Sequence, residues 1–99
     1  MEIFKMSEGK TMIIKVSGRV DTTTAPELEK TIKNSIEGET ELILDFENLD
    51  YISSAGLRVV LAAQKSMNQQ GGKMKVTNVN EIVAEVFDIT GFADILNIE

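Results

Sequence analysis

The residues best suited to chemistry lie in Tyr51-Ile52-Ser53-Ser54-Ala55-Gly56-Leu57-Arg58-Val59, where two adjacent hydroxyls fall between an apolar strand and an apolar-periodic segment. Such a junction is a helix N-terminus. Its first-turn N–H groups lack intrahelical acceptors and carry the positive end of the macrodipole. Anions are held well there, so a phosphate carried by Ser54 would be tolerated by the fold, which makes the hydroxyl a candidate switch. The same serines admit a plainer role, because Ser is a favoured N-cap worth about 1 kcal/mol.

Other chemistry is limited by what the chain lacks. With no His and no Cys, it cannot build a thiolate nucleophile, a Ser-His-Asp triad, or a thiolate or two-His metal site. Gly56 matches the second glycine of a G-x-S-x-G elbow, but Ile52 stands at the first and no His serves as base. Ser7-Glu8-Gly9-Lys10 fits S-x-x-K only in a turn, and Gly72-Lys73 has Met67 where a phosphate-binding loop needs its upstream glycine. Asp45, Glu47 and Asp50 admit a hard cation but are equally explained as solvated loop carboxylates. The expectation is a non-enzyme without cofactor or metal.

Composition points the same way. The 99 residues carry 10 Lys+Arg against 16 Asp+Glu, a net charge of −6, with the cations scattered. That sign disfavours nucleic acid and anionic membranes. No basic-then-apolar leader opens the chain, and its longest apolar run, Val59 to Ala63, is far too short to span a bilayer. A single domain over 1–99, cytoplasmic and monomeric, is expected.

The elements that must position the serines follow from periodicity. Glu2–Ser7 and Thr11–Ser17 read as a hairpin turning at Gly9, and Gly18 to Thr24 as a connector. Thr24, Pro26 and Glu27 have the chemistry of a capped helix start, with Leu28, Ile32 and Ile36 as its buried face. Glu41 to Phe46 reads as a central strand ending near Asn48-Leu49-Asp50. The next helix runs from Ala55 to about Gln70, with Leu57, Val60, Leu61, Gln64 and Met67 inward and Arg58, Ala62, Lys65 and Gln69 outward. Gly71-Gly72 stops it, Lys73 to Val79 is a strand, and Asn80 caps a third helix with Ile82, Val83, Val86 and Phe87 inward. Gly91 breaks that helix. The order β-β-α-β-α-β-α describes an α/β domain whose sheet is part antiparallel and part parallel.

Three segments give the chain a resemblance to the STAS domain family, in particular its stand-alone bacterial anti-sigma factor antagonists. Gly18-Arg19-Val20-Asp21-Thr22-Thr23-Thr24-Ala25 is similar to the family's G-x-[LIV]-D-x-x-x-[AS] connector, and Leu42 to Leu61 contains the switch loop Ile52-Ser53-Ser54-Ala55-Gly56-Leu57. Val86 to Leu96 is similar to L-F-x-x-[ST]-G-[LF]-x-x-[IL]-[LF]. The resemblance implies a STAS-type fold, a mixed four- or five-stranded sheet with helices packed mainly on one face. It also implies a phosphorylation switch. The acceptor two residues before the loop glycine falls on Ser54, with Ser53, Ala55 and Gly56 completing the switch loop. Unphosphorylated antagonist binds an anti-sigma factor that is a serine kinase, phosphorylation releases it, and a serine phosphatase resets it.

Two positions depart from the pattern. Ser53 stands where Asp is common, which removes an orienting carboxylate and adds a second hydroxyl; Arg58 stands where Gly is frequent, which places a cation near the partner site. The leading expectation is a partner-switching antagonist docking through a surface around Asp21, Thr22 and Arg58. A non-switching STAS subunit of a lipid-transport ATPase or other signalling complex is the alternative, and a small nucleotide-binding domain a third.

Overall fold

The computed structural model describes all 99 residues. Its elements are β1 (Glu2–Glu8), β2 (Thr11–Val20), α1 (Ala25–Ser35), β3 (Glu41–Asp45), β4 (Leu49–Ile52), α2 (Ser54–Gln69), β5 (Lys73–Thr77) and α3 (Glu81–Thr90), followed by a 3-10 turn over Phe92–Asp94. The sheet has five strands in the order β1-β2-β3-β5, with β4 pairing the far end of β2. β1 is antiparallel to β2, whereas β2–β3, β2–β4 and β3–β5 are parallel.

The hairpin forms where the sequence places it. Glu8 pairs Thr11, leaving a two-residue loop in which Gly9 takes φ 62°, as the first position of a type II′ turn requires. Across the sheet, Ile14 aligns with Leu44 and Val76, and Met12 with Leu42 and Met74, so one face is apolar throughout. All three helices cover that face, and the buried cluster includes Leu28 and Ile32 from α1, Val60 and Met67 from α2, and Val83 and Phe87 from α3. The uncovered face exposes Phe4 and Met6 beside the Lys15–Asp45 ion pair. Asp45 Oδ1 also accepts from Glu47 N–H and Asn78 Nδ2, so that carboxylate is occupied within the fold.

Five expectations are corrected. First, β2 runs on through Gly18 and Arg19 to Val20 instead of ending at Ser17, with Gly18 at φ 87° where its register shifts against β4. Second, the strand leading into Ser53 is separate from β3: Leu49 pairs Gly18 and Tyr51 pairs Arg19, so Asp50 is the extra residue of a bulge. Leu49 and Ile52 can then both point inward at a three-residue spacing. Third, Ile82 is exposed, because α3 turns only Val83 and Phe87 fully toward the sheet. Fourth, the buried side of α2 is Gly56, Leu57, Val59, Val60, Ala63 and Met67, with Leu61 and Gln64 only half-buried, because α1 packs beside Val59 and Ala63. Fifth, no Thr24–Glu27 capping box forms, since the Thr24 side chain makes no cap bond and turns back into the β2–α1 loop.

Asn80 caps α3 as expected, its Oδ1 accepting from Val83 N–H at 2.8 Å while its Nδ2 donates to Leu49 O at 2.8 Å. One side chain therefore fixes both the third helix and the strand that delivers the serines. The C-terminal residues close the edge at β5, where Val76 N–H donates to Asn97 O and Glu99 N–H to Val76 O.

Candidate functional site

The two serines divide the work that the sequence left open between them. Ser53 adopts extended backbone, φ −90° and ψ 176°, and is the N-cap of α2; its Oγ accepts from Gly56 N–H at 3.4 Å. Its own N–H donates to Val20 O at 2.8 Å, tying the cap to the end of β2. Ser54 is the first helical residue, exposed, and its hydroxyl makes no hydrogen bond within the protein. A free hydroxyl thus stands on the rim of the helix end, where added negative charge meets the macrodipole favourably.

Gly56 sets how deeply that helix end is seated. A Cβ there would lie 2.6 Å from Ile52 Cγ1 and 2.7 Å from Val20 Cγ1, both on fully buried side chains. The glycine is needed for this close approach and not for an unusual φ, since its backbone is ordinary helix. Ala55, half-buried, packs against the core cluster on the outer side of the same turn.

Asp21 shapes the neighbouring β2–α1 loop. Its Oδ1 accepts from Thr23 Oγ1 at 2.7 Å, Thr23 N–H at 3.0 Å and Thr24 N–H at 3.1 Å, and Asp21 N–H donates to Thr24 Oγ1 at 2.8 Å. The Thr23 hydroxyl first, then the Thr24 N–H, hold its carboxyl below the usual value of 3.8. Asp21 thus organises the turn ahead of α1 through its side chain, while its backbone carbonyl accepts from Ala25 N–H at 2.8 Å.

Thr22 and Arg58 come together. With Pro26, Glu29 and Ala55 they line an open hollow of about 230 Å³ between the starts of α1 and α2. Asp21 adjoins it in sequence but spends its carboxylate on its own loop. A residue that motif reasoning passed over completes the neighbourhood: the Arg19 guanidinium lies 4.8 Å from the centre of the Tyr51 ring, across the β2–β4 pair. Arg19, two residues before Asp21, and Tyr51, three before Ser54, carry no local signal that they face each other, because the bulge at Asp50 sets their register.

Known proteins share this fold and part of this sequence. The family model of the STAS domain matches residues 5–99. BtrV of Bordetella bronchiseptica, which carries the name of a putative anti-sigma factor antagonist, is 40% identical over 85 residues, covering 85% of this chain and 73% of its own. The anti-sigma-B factor antagonist of Bacillus subtilis is 32% identical over 85 residues, covering 86% and 78%. SpoIIAA of Bacillus, solved as an unphosphorylated anti-sigma factor antagonist, superposes with a TM-score of 0.86 at 21% identity over 99% of this chain and 88% of its own. Its phosphorylated form gives 0.77 at 21% identity, over 99% and 91%. At that identity the structural likeness speaks for the fold alone, whereas the sequence matches speak for the family. Both sequence relatives carry the name of anti-sigma factor antagonists, and this chain belongs to the STAS domain family.

Proposed function

We propose that this chain is an anti-sigma factor antagonist working as a phosphorylation-controlled partner switch, with Ser54 as the phosphoacceptor. The observation that carries the reading is the division of labour at the start of α2: Ser53 caps the helix and Ser54 offers an exposed, unbonded hydroxyl. The names of the relatives support the role, and SpoIIAA, with the same fold, has been solved with and without phosphate.

Unphosphorylated, the rim formed by Ser54, Thr22 and Arg58 docks an anti-sigma factor that is itself a serine kinase, in the cytoplasm. Phosphorylation adds about −1.5 to −2 charges and three acceptor oxygens, which cost desolvation in an interface and repel acidic neighbours. A differential of about 2.7 kcal/mol lowers affinity a hundredfold, enough to exchange partners, and a serine phosphatase restores the first state. The test is calorimetry of Ser54→Ala and Ser54→Asp against the anti-sigma factor, with intact-mass analysis after kinase and ATP. Tight binding by the first, weak binding by the second and one added phosphate lost in Ser54→Ala are expected; equal affinities would end the assignment.

A further inference from the structure

Resting on Ser54 as the acceptor, we infer that Arg58 captures the Ser54 phosphate in cis, which withdraws the one free cation from the docking hollow as the negative charge arrives. Residues four apart on a helix are neighbours on its surface, and an acid N-terminal to a base is the favoured order. Ser54 and Arg58 stand in that relation, both exposed, on a helix whose only other charged residue is Lys65.

Arg58 is uncommitted. The three ion pairs of the protein are Lys15–Asp45, Lys33–Glu29 and Lys75–Glu99. Glu29, the carboxylate that shares the hollow with Arg58, is engaged by Lys33 at 3.9 Å. The other charged groups of the neighbourhood are spoken for: Arg19 stacks on Tyr51, and Asp21 is bonded within its loop. Asp50, on the exposed bulge of β4, is an acid and adds no competing cation. A guanidinium also presents paired N–H groups that match phosphate oxygens, which an ammonium does not. Capture therefore changes the hollow twice, by adding a dianion at its rim and by turning its cation away from an incoming partner.

The test needs neither kinase nor partner. Phosphoserine is installed at position 54 of the full chain by genetic code expansion, and its second ionisation is followed by phosphorus NMR. Arg58→Gln should raise that pKa by about 0.3 unit, the shift matching a helical i,i+4 pair, and Arg58→Lys should recover part of it. Lys65→Gln removes the same charge about 16 Å along the helix, beyond the screening length, and should leave the value unchanged. The Arg58 effect should collapse in about 1 M salt. Equal values for the parent and Arg58→Gln, or an equal shift from Lys65→Gln, would overturn the inference. Because the phosphate is placed directly, that failure is distinct from finding that the kinase does not use Ser54.

Discussion

Replacing Gly56 by Ala tests whether α2 is seated by close packing. The new Cβ would lie 2.6 Å from Ile52 Cγ1 and 2.7 Å from Val20 Cγ1, roughly 1 Å inside the ~3.5 Å at which carbons begin to sit comfortably. Neither neighbour yields easily, because both are β-branched, stiff at χ1 and fully buried. Overpacking of this kind costs about 1–3 kcal/mol, against a helix-propensity gain of at most about 1 kcal/mol. With two stiff contacts the upper end applies, for a net loss of about 2 kcal/mol and a fall in Tm on the order of 10 °C. Urea denaturation measures it as a lower midpoint at unchanged m. Val20→Ala should cost less when combined with Gly56→Ala than in the parent, since it removes one of the clashing atoms. A Gly56→Ala protein more stable than the parent would show that propensity wins and that the close approach is not a constraint.

Asp21→Asn probes the β2–α1 loop through pH. The folded carboxyl titrates below 3.8, so its contribution is fully present above that value and is lost as pH falls through the lower folded value. Melting temperatures of parent and variant should therefore differ at neutral pH and converge under strong acid; a constant gap from neutral pH down to strong acid would count against the hydrogen bonds from Thr23 and Thr24. Asn80→Ala should cost about 2 kcal/mol, one part from the cap and one from the bond to Leu49 O, and Asn80→Ser should recover the cap alone. Chemical denaturation of both variants separates the two parts.

Much of the frame was legible because it obeys simple periods. The Gly9 hairpin, the Leu28–Ile32 face, the Asn80 cap and the Gly91 stop each rest on a local rule that no distant contact overrides. β4 escaped because the bulge at Asp50 breaks the alternation by which a strand is recognised, and the end of β2 escaped because Gly18 and the exposed Arg19 look like a connector. The buried side of α2 was misplaced by one step around the helix. Small residues, Gly56 and Ala63, mark where it comes closest to its neighbours, yet they weigh little in a hydrophobic pattern. At the site, residue type identified the two hydroxyls, but only the geometry of the cap could say which one is free. The pairing of Arg19 with Tyr51 depends on strand register and has no signature along the chain.

The tight seat of α2 also decides how a charge at Ser54 exerts its effect. The helix start is held by Ser53 N–H to Val20 O, by the cap to Gly56 and by the Gly56 contact with the strands, none of which involves the Ser54 side chain. An anion at the first helical position gains about 0.3–1 kcal/mol from the macrodipole. Ser54→Asp should therefore leave Tm unchanged or raise it by a few degrees, while, under the proposed function, weakening the complex with the anti-sigma factor. Stability and affinity then move in opposite directions, which a switch that worked by loosening the helix would not allow. A Ser54→Asp protein destabilised by more than about 1 kcal/mol, beyond the roughly ±0.5 kcal/mol usual for surface changes, would place the proposed switch in local unfolding instead of in charge at the proposed docking rim.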